Sequence, residues 1–170
     1  TNTAPVIDTV AVTPFEGQVG DVLTCTATAS DPDGATPTIT YGWSDGGELI
    51  ATGSIYTISS DRAVDSEIVC TATATDMYGL TDTGTASATV TNTAPTMTGV
   101  TISPEPAYND DTIVCTATAT DPDGGSPAIT YAWTGGATGA ELPLTSIIAA
   151  SGDTLTCTAT AEDPYGETAM

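Results

Sequence analysis

Ten residues opening on cysteine are written four times in this chain: CTATASDPDG from Cys25, CTATATDMYG from Cys70, CTATATDPDG from Cys115 and CTATAEDPYG from Cys157. They contain every cysteine of the sequence. Cys25 and Cys115 stand 90 residues apart, as do Trp43 and Trp133 and the two TNTAP segments at Thr1 and Thr91, whereas Cys70 and Cys157 stand 87 apart. A phrase returning at that interval marks two homologous domains, residues 1–90 and 91–170, the second three residues shorter between its Trp and its second Cys. The joint, TVTNTAP, carries no Gly/Ser spacer and reads as a short, proline-stiffened connection.

The repeated phrase itself is strand. In DVLTCTATAS, SEIVCTATAT, DTIVCTATAT and DTLTCTATAE, Thr alternates with Cys, Ala, Val, Leu or Ile, the period of two that a half-buried strand requires. Thr and Val are stiff at χ1 and disfavour helix, and Gly and Pro punctuate the chain at short intervals. The first copy divides into strands A near 6–13, B near 21–30, C near 37–44, a weak one near 48–51, E near 54–59, F near 66–75 and G near 82–90. Seven short antiparallel strands predict a β-sandwich. In the second copy the chain reaches Met170 where strand F should turn into strand G, so that strand is expected to be missing. The chain then reads as a piece of a longer array, or as a domain whose missing strand a neighbouring copy donates. Its first residue, Thr1, likewise reads as the start of a mature or internal piece.

Charge and residue choice exclude several functions. The 170 residues hold 22 acidic side chains and one basic one, Arg62, for a formal net charge of −21. A surface this anionic does not neutralise phosphates, so nucleic-acid binding is excluded, and docking on an anionic membrane is disfavoured. No run approaches the roughly 20 apolar residues of a membrane span. There is no His and no Lys, which removes Ser/His/Asp triads, Schiff-base lysines and His-based zinc sites. Paired carboxylates are the remaining acid/base option, and nothing isolates one pair from the rest. The chain is expected not to be an enzyme.

The order Cys25, Trp43, Cys70, repeated as Cys115, Trp133, Cys157, resembles that of immunoglobulin-like domains. The segments YGWSDGG and YAWTGG, following DPDG, are similar to polycystic-kidney-disease-type and related repeats of large bacterial surface proteins. The resemblance implies an all-β fold of two tandem immunoglobulin-like antiparallel β-sandwiches, with each Trp buried against a bridge between strands B and F. It also implies a prokaryotic surface protein. Ile68 and Leu155 stand where a tyrosine corner would place Tyr, a departure from variable-type domains. Four cysteines allow three connectivities, and Cys25–Cys70 with Cys115–Cys157 is the one that closes each domain on itself. Each bridge would contribute about 3 to 4 kcal/mol on the chain-entropy account, which suits a core with one Phe and two Trp. Disulfides in turn imply an extracellular or cell-surface location.

The acidic turns are the candidate site. Asp31 and Asp33 follow strand B, Asp121 and Asp123 repeat them, and Asp76, Glu162 and Asp163 end the F strands. Strands B and F end at the same pole, so these oxygens gather there and would suit Ca²⁺, which takes six to eight hard ligands. The EF-hand spacing is absent, because Ala35 and Gly125 hold the third ligand position and Gly42 and Ala132 the twelfth. Asp-Pro-Asp-Gly equally suits a plain β-turn, and both readings stand on sequence alone. The abundant Thr fits an exposed sheet face and also a surface for O-linked sugars. Tyr78 and Tyr165, in the MYG and PYG turns, are placed to meet a neighbouring domain. The function these features fit is a non-catalytic repeat of an extracellular fibre, pilus-like filament or adhesin stalk, with neighbouring copies as partners. The alternative is a carbohydrate- or protein-binding module.

Overall fold

The structure, a computed structural model, describes residues 1–144 and 152–170. The chain divides into two compact units, Thr1–Asn92 and Thr93–Met170. Every named element among the described residues is a strand.

The first unit contains β1 (Val6–Thr13), β2 (Glu16–Gly17), β3 (Val22–Ser30), β4 (Thr38–Asp45), β5 (Glu48–Thr52), β6 (Ile55–Thr57), β7 (Glu67–Thr75) and β8 (Thr81–Val90). One sheet runs β1-β3-β6 and the other β2-β8-β7-β4-β5. All pairs are antiparallel except β2 on β8, where Gly17 lies beside Val90. The alternation explains the faces: in β7, Ile68, Cys70, Ala72 and Ala74 are fully buried while the Thr residues between them are not. The core is the layer between the sheets, built from Leu23, Cys25, Trp43, Ile58, Ile68, Cys70, Ala88 and Val90. Cys25 of β3 bridges Cys70 of β7 across it. Trp43 lies wholly buried, with its ring 5.8 Å from that of Tyr56, and its indole N–H donates to the Gly53 carbonyl at 2.9 Å. This B-to-F bridge with a Trp from the C strand beside it is the immunoglobulin-like arrangement.

The second unit contains β9 (Thr96–Ser103), β10 (Thr112–Thr120), β11 (Ala128–Trp133), β12 (Glu141–Pro143), β13 (Cys157–Glu162) and β14 (Thr168–Ala169). Its sheets run β12-β10-β9 and β11-β13-β14, and Cys115 of β10 bridges Cys157 of β13. Its core is Ile113, Cys115, Trp133, Leu142 and Leu144. Residue by residue, Ile113 stands for Leu23, Leu142 for Tyr56 and Leu144 for Ile58, since each makes the same backbone pairing. The Trp133 indole N–H reaches the Gly139 carbonyl six residues on, against ten between Trp43 and Gly53, so this hairpin is four residues shorter. No strand equivalent to β5 follows from it among the described residues.

One expectation is corrected. The second unit does not lack its last strand altogether: Thr168 and Ala169 pair with Glu162 and Ala161 as Thr81 and Asp82 pair with Thr75 and Ala74. The strand has its first two residues, against ten in β8.

Candidate functional site

The acidic turns are built by their own carboxylates. In the turn after β3, the Gly34 N–H donates to the Asp31 carbonyl at 2.9 Å, and the Asp33 N–H donates to Asp31 Oδ1 at 2.8 Å. Gly34 sits at φ 86°, a left-handed conformation that costs glycine nothing, and Gly124 repeats it at φ 87°. Asp121 accepts from the Asp123 N–H at 2.9 Å in the same way. The turn after β7 is closed more tightly. Asp76 Oδ1 accepts from the N–H groups of Tyr78 and Leu80 at 2.8 and 2.9 Å. Asp163 Oδ1 accepts equivalently from Tyr165 and Glu167. The first Asp of each phrase is therefore a fastener of the loop that follows it, by the local side-chain-to-backbone bonding that favours Asp in turns.

The remaining oxygens hold the TNT segment that precedes the first strand. In the first unit, the Thr3 N–H donates to Asp33 Oδ2 at 2.6 Å and the Asn2 side-chain amide to Asp76 Oδ2 at 2.6 Å. Adjacent residues thus reach both turns, which places Asp33 and Asp76 at one end of the sandwich. In the second unit, Asp123 takes the Thr93 N–H on Oδ2 at 2.5 Å and the Thr93 hydroxyl on Oδ1 at 3.1 Å. Pro5 and Pro95, which close the two TNTAP segments, are buried. These latches were not read from the sequence. The signal for them was the return of TNTAP at the head of both copies, a polar segment with donors and no strand pattern.

Asp76 is 7% exposed and Asp163 5%. Burial works to raise the Asp76 carboxyl, but the Asn2 amide and the Leu80, Tyr78 and Gly79 N–H groups outweigh it, so its pKa lies below the ordinary value. The chain's one basic side chain is spent elsewhere. Arg62 donates to Asp45 Oδ2 at 2.9 Å and also pairs with Asp61. Hydrogen bonds from Arg62 first, then Ser59, hold the Asp61 carboxyl well below the usual carboxylate range.

This geometry does not fit the calcium expectation for Asp31, Asp33, Asp76, Asp121, Asp123 and Asp163. A cation needs several oxygens converging on one point. Among the described residues no three acidic side chains do so, and the oxygens traced above face N–H and O–H donors. Glu162 is exposed at the end of β13. Both Trp side chains are core, 0% and 3% exposed, and offer no sugar-stacking platform. Tyr78 and Tyr165 stand exposed in their turns, and Thr26, Thr28, Thr116 and Thr118 line exposed strand faces.

No family model and no curated protein matches the sequence. Among solved structures, the chain is similar to the three N-terminal domains of the Highly Immunogenic Outer Capsid protein (Hoc) of bacteriophage RB49. That match has 17% identity and a TM-score of 0.37, and covers 97% of this chain and 56% of that one. It is also similar to the full ectodomain (Ig1–Ig3) of mouse nectin-like molecule 4, at 18% identity and a TM-score of 0.35, over 97% of this chain and 61% of that one. The chain spans less than two thirds of either.

Proposed function

We propose that the chain is a non-catalytic structural repeat of an extracellular or surface-exposed assembly, a serial spacer rather than an enzyme. The observation that carries this reading is the latch. Both units use the second Asp of DPDG to hold the residues immediately ahead of their own first strand, Thr3 on Asp33 and Thr93 on Asp123. A domain that fastens its own leading segment is closed on itself at the end where the chain enters it, which suits a unit repeated in series. The intradomain disulfides support an oxidising location, and the absence of His and Lys supports a role without acid/base or nucleophilic chemistry. O-linked sugars on the exposed Thr faces belong to the same proposal. The test is where the protein sits: antibodies against the chain should label the outside of intact source cells or particles at repeated positions. Label that appears only after permeabilisation would overturn the reading.

A second reading, a binding module, is favoured by the exposed apolar run Met77, Tyr78 and Leu80 on one turn of the first unit, at 77, 71 and 42%. It predicts capture of a defined glycan or protein that a Tyr78→Ser variant loses. Equal capture by the variant would leave the spacer reading alone.

A further inference from the structure

We propose that the first unit carries an ice-binding face, an array of threonines on the outer side of the sheet formed by β4, β7 and β8. The alternation that buries Ala72 and Ala74 turns Thr71, Thr73 and Thr75 outward. The register of the ladder then sets threonines side by side. Thr75 lies between Thr38 of β4 and Thr81 of β8, and Thr73 lies between Thr40 and Thr83. In the next row Thr71 stands between Gly42 and Thr85. Three rows on three adjacent strands make nine positions, and all but Gly42 are Thr. The threonines of β4 and β8 are exposed, and those of β7 are half-buried only by their neighbours on either side.

Three further observations decide what the array can take. In a chain of net charge −21, the nearest charge on this face of β7 is Glu67, two rows beyond Thr71, so neither a cation nor a charged polymer is favoured here. The aromatic side chains of β4 are turned away, Trp43 into the core and Tyr41 against it, so no ring is offered for a sugar to stack on. The hydroxyls are also free. Elsewhere Thr9 bonds Thr28 and Thr98 bonds Thr118, but among the described residues no hydroxyl of this array has a partner in the protein. What remains is a neutral grid with a methyl and an unspent hydroxyl at each point, able to hold a water layer caged at the methyls and hydrogen-bonded at the hydroxyls. Its repeats are about 4.8 Å between strands and about 6.8 Å along them. Both lie near the repeats of water oxygens on a prism face of ice. Each outer strand turns by about 20 to 25° from β7, so the face suits a small crystal rather than a broad plane.

The face belongs to one unit and does not depend on how copies are joined. The experiment grows ice slowly from a seed in a dilute solution of the intact chain and measures protein in the ice and in the remaining liquid. The chain is expected to be enriched in the ice, where an ordinary solute is excluded, and to give the growing crystals flat facets. Thr73→Tyr lifts a ring above the middle row at a position where a strand accepts Tyr, and should lose the enrichment while Trp43 fluorescence shows the unit still folded. Thr83→Tyr repeats the test on the flanking strand, in case Thr73→Tyr does not fold. Thr26→Tyr, on the exposed face of β3 in the other sheet, is the control and should enter ice as the parent does. Exclusion of the parent from ice overturns the proposal. Loss of enrichment in Thr26→Tyr as much as in the array variants, or in none of them, overturns it as well.

Discussion

Asp76 stays charged in a site 7% exposed because donors meet both its oxygens, the N–H groups of Tyr78 and Leu80 on one and the Asn2 amide on the other, with the Gly79 N–H adding to them. Its folded pKa is depressed, so its contribution to stability is present above the unfolded value, about 4, and disappears as pH falls through the lower folded value. The first unit is therefore expected to lose stability below about pH 4. Asp76→Asn should be less stable than the parent at neutral pH, with the gap closing as the solution is acidified. Asn2→Ala should move the Asp76 titration back toward the ordinary carboxylate range. Carboxyl-carbon NMR titration and urea unfolding across pH check both, and a gap that stays constant with pH would show that the charge does not matter. The same latches set an expectation for calcium, since they already occupy these carboxylate oxygens. Thermal unfolding in EDTA and in millimolar Ca²⁺ is expected to coincide. A rise of several degrees with calcium, lost in Asp33→Asn and Asp123→Asn, would instead make the turns ligands.

At the scale of the strands, β1 crosses close over β8, and Gly84 is what permits it. A Cβ built on Gly84 would lie 2.8 Å from the γ-methyls of both Ile7 and Val10, nearer than side chains pack. Those methyls belong to β-branched residues with little freedom to turn away. Gly84→Val is expected to cost the first unit about 1 to 3 kcal/mol through overpacking. Gly99→Ala in β9 is the control, since its Cβ would meet only the Thr118 hydroxyl at 3.4 Å, and it should be near neutral. Urea midpoints measure both, and equal effects would remove the crossing as the cause. Elements of this kind show why some of the fold was legible. β3, β7 and β10 announce themselves because period-two alternation runs for nine residues and the cysteines mark which face is core. β2 and β14 are two residues each, too short for any periodicity, and are strands only because a partner lies beside them. The latches were illegible for a related reason. Asn2 and Asp76 are 74 residues apart and Thr3 and Asp33 are 30 apart, and a polar pair at long range leaves no pattern along the chain.

Across the whole molecule, the two units share one plan but not one degree of closure. In the first, the β8 side chains seal the layer, and both bridged cysteines are at most 1% exposed. In the second, Cys157 and Leu155 are half-buried, and the last strand has two residues against ten. Less apolar surface leaves water on folding, so the second unit has less to set against the same chain entropy per residue. Its bridge closes a span of 42 residues against 45, so the disulfides do not restore the balance. The intact chain should therefore unfold in two steps, with the second unit first. Each unit holds one Trp, which makes the order readable: urea unfolding of Trp43→Phe reports the second unit through Trp133, and Trp133→Phe reports the first through Trp43. The Trp133 midpoint is expected at lower urea, and reduction of the disulfides should lower both midpoints while keeping that order. Coincident transitions would mean that the shorter last strand costs the second unit nothing. A reversed order would mean that stability is set by something other than closure of the sandwich by its last strand.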